Sequence, residues 1–307
     1  MKLKSKLIVK GVIFISIASI LWGLDGVVFT PRLSNLNVVF VVFILHALPF
    51  LLMNLFLYKR YKDLHKFTRV TFFSLLAVSV FGGAVGTIAI VKALFIVNFK
   101  QLSVVVLLQK LQPVFAIVLA SIVLHEKLSK HFLFWASLAI VSGYFLTFGL
   151  CLPDIHGDAT NIKAVLLSIL AAFSFGSSTV FSKNLLNKVD FVSATFFRYG
   201  MVFLLMLPVI LFGGFYNNFS QVTDTNWLFI ILISLTTGSG AILLYYYGLK
   251  YVRASISTIS ELFFPISAIF FDYLINGNLL SPVQWVSAAF MIFAIIKANL
   301  ERPKQRI

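Results

Sequence analysis

The chain has 307 residues and a formal net charge of +15, yet only 11% of its residues are charged and 60% are hydrophobic. A soluble domain carries about 25% charged residues, so this composition excludes a water-soluble globule with an ordinary surface. The basic residues sit in short gaps between apolar runs rather than in one basic domain, which argues against nucleic acid as the partner; the single Cys151 excludes a disulfide framework within the chain.

Taken in chain order, Lys2, Lys4, Lys6 and Lys10 precede an apolar stretch that imitates a signal peptide. That stretch continues past Trp22-Gly23 to Phe29 without a small-x-small cleavage site, so it reads as a retained first helix. Apolar windows then predict helices near 9–30, 37–57, 70–96, 102–125, 131–150, 162–184, 190–214, 226–249, 254–275 and 282–299. Each run approaches the length needed to cross a hydrocarbon core of about 30 Å. Placing the N-terminus in the cytoplasm puts 19 of the 25 basic residues on that side, so the positive-inside rule predicts cytoplasmic N- and C-termini in the inner or plasma membrane of the cell. The fold class expected is an all-α integral membrane protein of ten transmembrane helices.

The chain repeats. At an offset of 153, Trp22-Gly23 pairs with Phe175-Gly176, Asp25 with Ser178, Asn37 with Asp190 and His46 with Tyr199. At an offset of 152, Ser103 pairs with Ser255, Gln109 with Glu261, Pro113 with Pro265, and Leu128-Ser129 with Leu280-Ser281. Two five-helix repeats follow, 1–150 and 161–307, joined by an external linker over 151–160. Five is odd, so the second repeat enters the bilayer from the opposite side, and inverted repeats place a solute site near the midplane between the halves.

Ionisable groups inside a membrane mark solute or proton paths, so the polar residues within spans are the candidate site. Glu261 is a candidate coupling carboxylate, with Lys110 or Arg198 as alternative structural partners; Lys110 and Asp25 also belong to the candidate cavity set, Lys110 reaching either the cavity edge or a neighbouring helix. Gln109 and Glu261 each stand one turn before a proline, Pro113 or Pro265, whose ring frees a helical carbonyl; Gln112 shares the face of Gln109. Arg198 is a candidate for an anionic solute group or a snorkelling residue, and His46 for a proton relay or a packing role; Tyr199, its repeat mate, joins the cavity set. Asp25 and Lys92 are read as an external gate pair or as residues reaching water. The bland reading is preferred for Asp272 as an interfacial carboxylate, for Tyr245, Tyr246 and Tyr247 as an aromatic belt, and for Gly82, Gly83, Gly86, Gly238 and Gly240 as helix packing.

Leu21-Trp22-Gly23, the stretch LLQKLQPVFAIVLASIVLHEKLS over 107–129 and its echo ISELFFPISAIFFDYLINGNLLS over 259–281 resemble the EamA family of the drug/metabolite transporter superfamily. The resemblance spans about residues 10–300 and implies a carrier with a central cavity, an exporter or exchanger of a small metabolite, amino acid or drug-like solute. It also implies a gating role for Glu126, whose counterpart in the second repeat is Asn278, so the two gates should differ. No phosphate loop, HExxH motif or Cys/His cluster occurs, so no cofactor, metal or ATP site is expected and a proton or solute gradient is the simplest energy source. The expected partners are a small-molecule solute and the lipid bilayer, with a homodimer left open. A membrane-embedded enzyme acting on lipid-linked substrates, or a non-transporting subunit, are the rival readings.

Overall fold

The computed structural model describes residues 2–97, 105, 108–150 and 159–300, and among them every regular element is helical. In chain order these are α1 (Lys2–Leu24), α2 (Val38–Leu57), α3 (Arg69–Ile96), α4 (Gln112–Val123) and α5 (Lys130–Phe148). The second half supplies α6 (Ala159–Leu186), α7 (Phe191–Phe212), α8 (Asp224–Tyr251), α9 (Ala254–Asn276) and α10 (Pro282–Asn299). Nine are long and apolar enough to cross a membrane, and α4 is a shorter apolar helix of 12 residues. The sequence predicts the fourth span over 102–125, and most of its beginning, with Ser103, lies outside the described residues, as do Cys151 and most of the 151–160 linker.

Polar side chains start these helices at the places where the repeat pairs them. Asn37 caps α2 by accepting from Val39 N (2.9 Å), and its mate Asp190 caps α7 by accepting from Val192 N (3.1 Å). Ser129 caps α5 through Phe132 N (3.0 Å), and its mate Ser281 caps α10 in a capping box with Gln284. Each cap satisfies an amide that the helix itself leaves without a partner.

The packing has the symmetry of an inverted repeat. α1 lies on α8 and α9 while α6 lies on α3 and α4; α2 meets α7 and α5 meets α10. A two-fold axis in the membrane plane that exchanges the repeats requires these pairings. Gly23 and Gly176 each carry a close one. A Cβ on Gly23 would stand 2.8 Å from Ala268 N and 3.0 Å from Phe264 O; one on Gly176 would stand 3.0 Å from Ala116 N and 2.9 Å from Gln112 O. Adding 152 to Gln112 and Ala116 gives Phe264 and Ala268, so both glycines meet equivalent backbone in the opposite repeat.

The surface is apolar, with Phe56, Phe72, Phe134, Phe212 and Phe290 exposed, whereas Ser168, Ser174, Ser178, Thr179, Ser182 and Arg198 are buried. Lipid offers no hydrophobic gain for helix association, so small residues and internal hydrogen bonds hold the bundle together. The glycines of α3 follow that pattern, since a Cβ on Gly86 would crowd Ser174 and Phe175 of α6, each at 3.1 Å. Gly238 and Gly240 differ from the packing expectation. Their added Cβ atoms would strike Ile233 O (2.8 Å) and Leu235 O (2.7 Å) of their own helix, inside a π-helical turn over Ser234–Gly238. α3 has a π-helical turn over Val78–Val85 at the equivalent place.

At the face that carries the N-terminus and most of the basic residues, a polar 3-10 segment, Tyr58–Lys66, docks on the start of α7. Asp63 accepts from Ser193 Oγ (2.6 Å) and Lys66 Nζ (2.6 Å), and Arg60 stands 3.7 Å from Asp190.

Candidate functional site

Both α4 and α9 are broken ahead of their prolines. Leu111 N donates to Leu108 O (3.1 Å) and Leu262 N to Ile259 O (3.2 Å), tight turns in place of regular helix, after which α4 continues from Gln112 and α9 from Phe263. A proline cannot donate to the preceding turn, and the break leaves polar atoms at the junction free to face inward.

Glu261 lies at the α9 break, and its carboxylate collects donors from four helices. Gln112 Nε2 donates to Oε2 (2.6 Å), while Tyr245 OH (2.8 Å), Ser257 Oγ (3.0 Å) and Thr179 Oγ1 (3.4 Å) donate to Oε1. Trp22 packs its ring against Tyr245 at 5.4 Å between centroids, adding α1 to the cluster. The carboxylate thus joins both repeats. Neither cation considered as its partner is bonded to it.

Lys110 points the other way. Its Nζ donates to Gly143 O (2.6 Å) and to Thr147 Oγ1 on α5, which removes it from the candidate cavity and makes it a buried tie between α4 and α5. Gln109 is half-buried and makes no hydrogen bond to the cluster; Gln112, one turn later, does so.

Arg198 is 7% exposed, so it does not snorkel to the surface. Its Nη1 donates to Tyr246 OH (3.2 Å), which Ser182 Oγ also meets at 3.0 Å, and its Nε has no partner. Tyr245 and Tyr246 are therefore buried and hydrogen-bonded inside the bundle rather than in an aromatic belt. Tyr247 alone behaves as the belt predicts, with Lys10 Nζ 5.1 Å from its ring centre. His46 and Tyr199, paired in the repeat, pack ring on ring at 5.1 Å between α2 and α7, and His46 Nδ1 donates to Val42 O (2.7 Å).

Asp25 and Lys92 do not pair. Asp25 begins a π-helical turn and accepts from Thr30 Oγ1 (3.2 Å), and Lys92 is exposed on α3. Asp272 is a half-buried carboxylate, accepting from Asn276 (2.6 Å) and from Asn278 (2.8 Å).

Glu126 binds the other repeat. Its carboxylate accepts from the first amides of α9, Ala254 N (2.8 Å) and Ser255 N (3.1 Å), and from Ser255 Oγ (2.5 Å); Arg253 Nη1 reaches back to Lys127 O (3.0 Å). A carboxylate is the natural ligand of a helix N-terminus, where free amides and the helix dipole coincide. Among the described residues, its counterpart Asn278 is engaged with Asp272.

Sequence reasoning did not single out Thr179, Ser182, Ser257 or Trp22 as site residues. Hydroxyls and aromatics are too common inside spans to stand out, although Trp22 and its neighbour Gly23 did carry the repeat.

The chain as a whole is similar to known proteins. The sequence profile of the EamA-like transporter family matches residues 9–148 and again 162–300. The chain is 51% identical over 292 residues, 95% of its length and 98% of the relative's, to the riboflavin transporter ImpX of Fusobacterium nucleatum subsp. nucleatum. A solved crystal structure at 12% identity superposes with a TM-score of 0.62 over 98% of this chain and 97% of its own, which shows a shared fold. A multi-pass membrane bundle of two inverted repeats, matched by one profile in each half, places this chain in the EamA-like transporter family, and it is a transport protein rather than an enzyme.

Proposed function

We propose that the chain carries riboflavin across the cell membrane by alternating access, with Glu261 as the proton-coupling group and both termini in the cytoplasm. The observation that carries the solute is the 51% identity, over nearly the full length of both chains, to a riboflavin transporter. The site suits such a solute. Riboflavin is a flat, uncharged ring system rich in acceptors with a polyhydroxyl chain, and the site combines Trp22, Tyr245, Tyr199 and His46 rings with the donors and acceptors around Glu261 and Arg198.

Glu261 supports coupling through its position. As a carboxylate it holds donors from α4, α6, α8 and α9 together; protonated, it loses acceptor capacity and becomes a donor itself, which loosens a junction located at the breaks of α4 and α9. Rocking of one repeat against the other then exposes the site to either side. Net direction follows the combined gradients, so the protein serves as importer, exporter or exchanger according to conditions.

The test is uptake of riboflavin by proteoliposomes of the purified protein, with and without an imposed pH gradient, for wild type and Glu261→Gln. Accumulation that requires the gradient and is lost in Glu261→Gln is the expected result. Flux equal to that of empty liposomes would overturn the solute, and gradient-driven accumulation retained by Glu261→Gln would overturn the coupling role.

A further inference from the structure

Arg198 is a buried cation with no carboxylate within 4 Å among the described residues. Among the described residues its one hydrogen bond runs from Nη1 to Tyr246 OH, and its guanidinium lies 5.7 Å from the Tyr246 ring centre. An uncompensated buried charge is costly, and a guanidinium has five donors to satisfy. Its geometry decides which are free. With Nη1 engaged, the remaining edge is Nε with Nη2, two parallel N–H groups that make the side-on fork for a planar pair of acceptors. Nε has no partner. That edge is buried beside Gly82 in the π-helical turn of α3, where an added Cβ would stand 2.7 Å from Ser178 Cβ and 3.1 Å from Nη2.

We propose that this unpartnered buried edge anchors the ring of the solute, through a carbonyl and a neighbouring ring nitrogen, when the repeats part to admit it. The proposal rests on the riboflavin reading and deepens it. A flavin offers two such pairs, N1 with C2=O and C4=O with N5, each planar and spaced to match a guanidinium fork. Both pairs accept without donating, so they fit a residue that only donates. The fork lies on α7 of the second repeat and faces Gly82 of the first, so a ring held there would touch both repeats. Tyr246 and Ser182 hold the guanidinium in plane.

The experiment is titration of intrinsic flavin fluorescence with purified protein in detergent, using riboflavin, 1-deazariboflavin and 5-deazariboflavin, with thermal unfolding of each variant measured beside it. For wild type, one deaza analogue binds about tenfold or more weakly than riboflavin, as expected for one lost charge-assisted pair. Arg198→Gln binds riboflavin about tenfold or more weakly and no longer distinguishes the analogues. Arg198→Lys, a charge without a fork, falls with Arg198→Gln. The anchor is overturned if wild type binds all three ligands equally, if Arg198→Gln keeps the discrimination, or if Arg198→Gln fails to fold, which would assign the guanidinium to structure. Wild-type protein that leaves riboflavin fluorescence unchanged would instead remove the riboflavin reading itself.

Discussion

Glu126 should hold one side of the carrier closed, and its removal should open that side by a calculable amount. The carboxylate accepts three hydrogen bonds from the N-terminus of α9, two from amides that would otherwise be free. Caps of this kind contribute about 0.5–2 kcal/mol, and a negative charge at a helix N-terminus is favourable for the same reason. Because Glu126 sits in the first repeat and α9 in the second, the contact exists only while the repeats meet at that face. Glu126→Ala therefore costs the closed state about 1–2 kcal/mol, a factor of about 5–30 in the closed-to-open ratio. Val180 provides the reporter, since it is buried with Ala120 and Ala254 next to this contact. In a Cys151→Ser background, Val180→Cys should be alkylated by an impermeant maleimide, added from the face that carries the N-terminus, about 5–30 times faster when Glu126 is also Ala. When opening is fast, the rate tracks the open population. An unchanged rate in protein of unchanged thermal midpoint would refute the reasoning.

The other predictions concern packing. Gly23→Ala and Gly176→Ala each force helix backbones apart by a few tenths of an ångström. Each should lower stability by about 1–3 kcal/mol. Scanning fluorimetry in detergent should show a drop in midpoint for both, adding in the double variant, and no drop for either would contradict the close approach. Lys110→Met keeps the aliphatic stem and removes a buried charge whose acceptors, Gly143 O and Thr147 Oγ1, already meet each other at 3.0 Å. Riboflavin uptake should stay within about twofold of wild type, and its loss would return Lys110 to the solute path. Asp63→Asn weakens the contacts to Ser193 and Lys66, so trypsin should cut at Lys62 or Lys66 sooner than in wild type; equal rates would show that Tyr58–Lys66 is held by other contacts.

Composition and period made the bundle legible, because lipid imposes the length and polarity of each span, and the repeat fixed which helices should meet. Gly23 and Gly176 were visible as repeat mates, and so were the caps Asn37, Asp190, Ser129 and Ser281. The site was legible only in part. Glu261, Gln112, Arg198, His46 and Tyr199 stand out as polar or repeat-paired residues within spans, but their partners depend on rotation about helix axes near breaks that periodicity does not resolve. Lys110 faces α5, about 200° round the helix axis from Gln112, and which of the two faces is turned to the cavity is set by packing. Tyr245 and Tyr246 lie near the end of α8, where a belt is the usual expectation, yet the neighbouring helix α6 supplies Thr179 and Ser182 at their depth.

The paired π-helical turns of α3 and α8 have a consequence for what mutations the family can accept. Each turn holds one residue more than a regular helix would, so the stretch beyond it is rotated by about 100° relative to an unbroken helix. Around the turn α3 can thereby address two neighbours, with Gly83 against Val202 of α7 and Gly82 and Gly86 against Ser178 and Ser174 of α6. Deleting a single residue anywhere in 78–85 would restore a regular helix and rotate one of its ends out of place, turning lipid-facing side chains inward. Point substitutions on the outer face should thus be tolerated freely along α3 and α8, while a one-residue deletion in either turn should be more damaging than most of them combined.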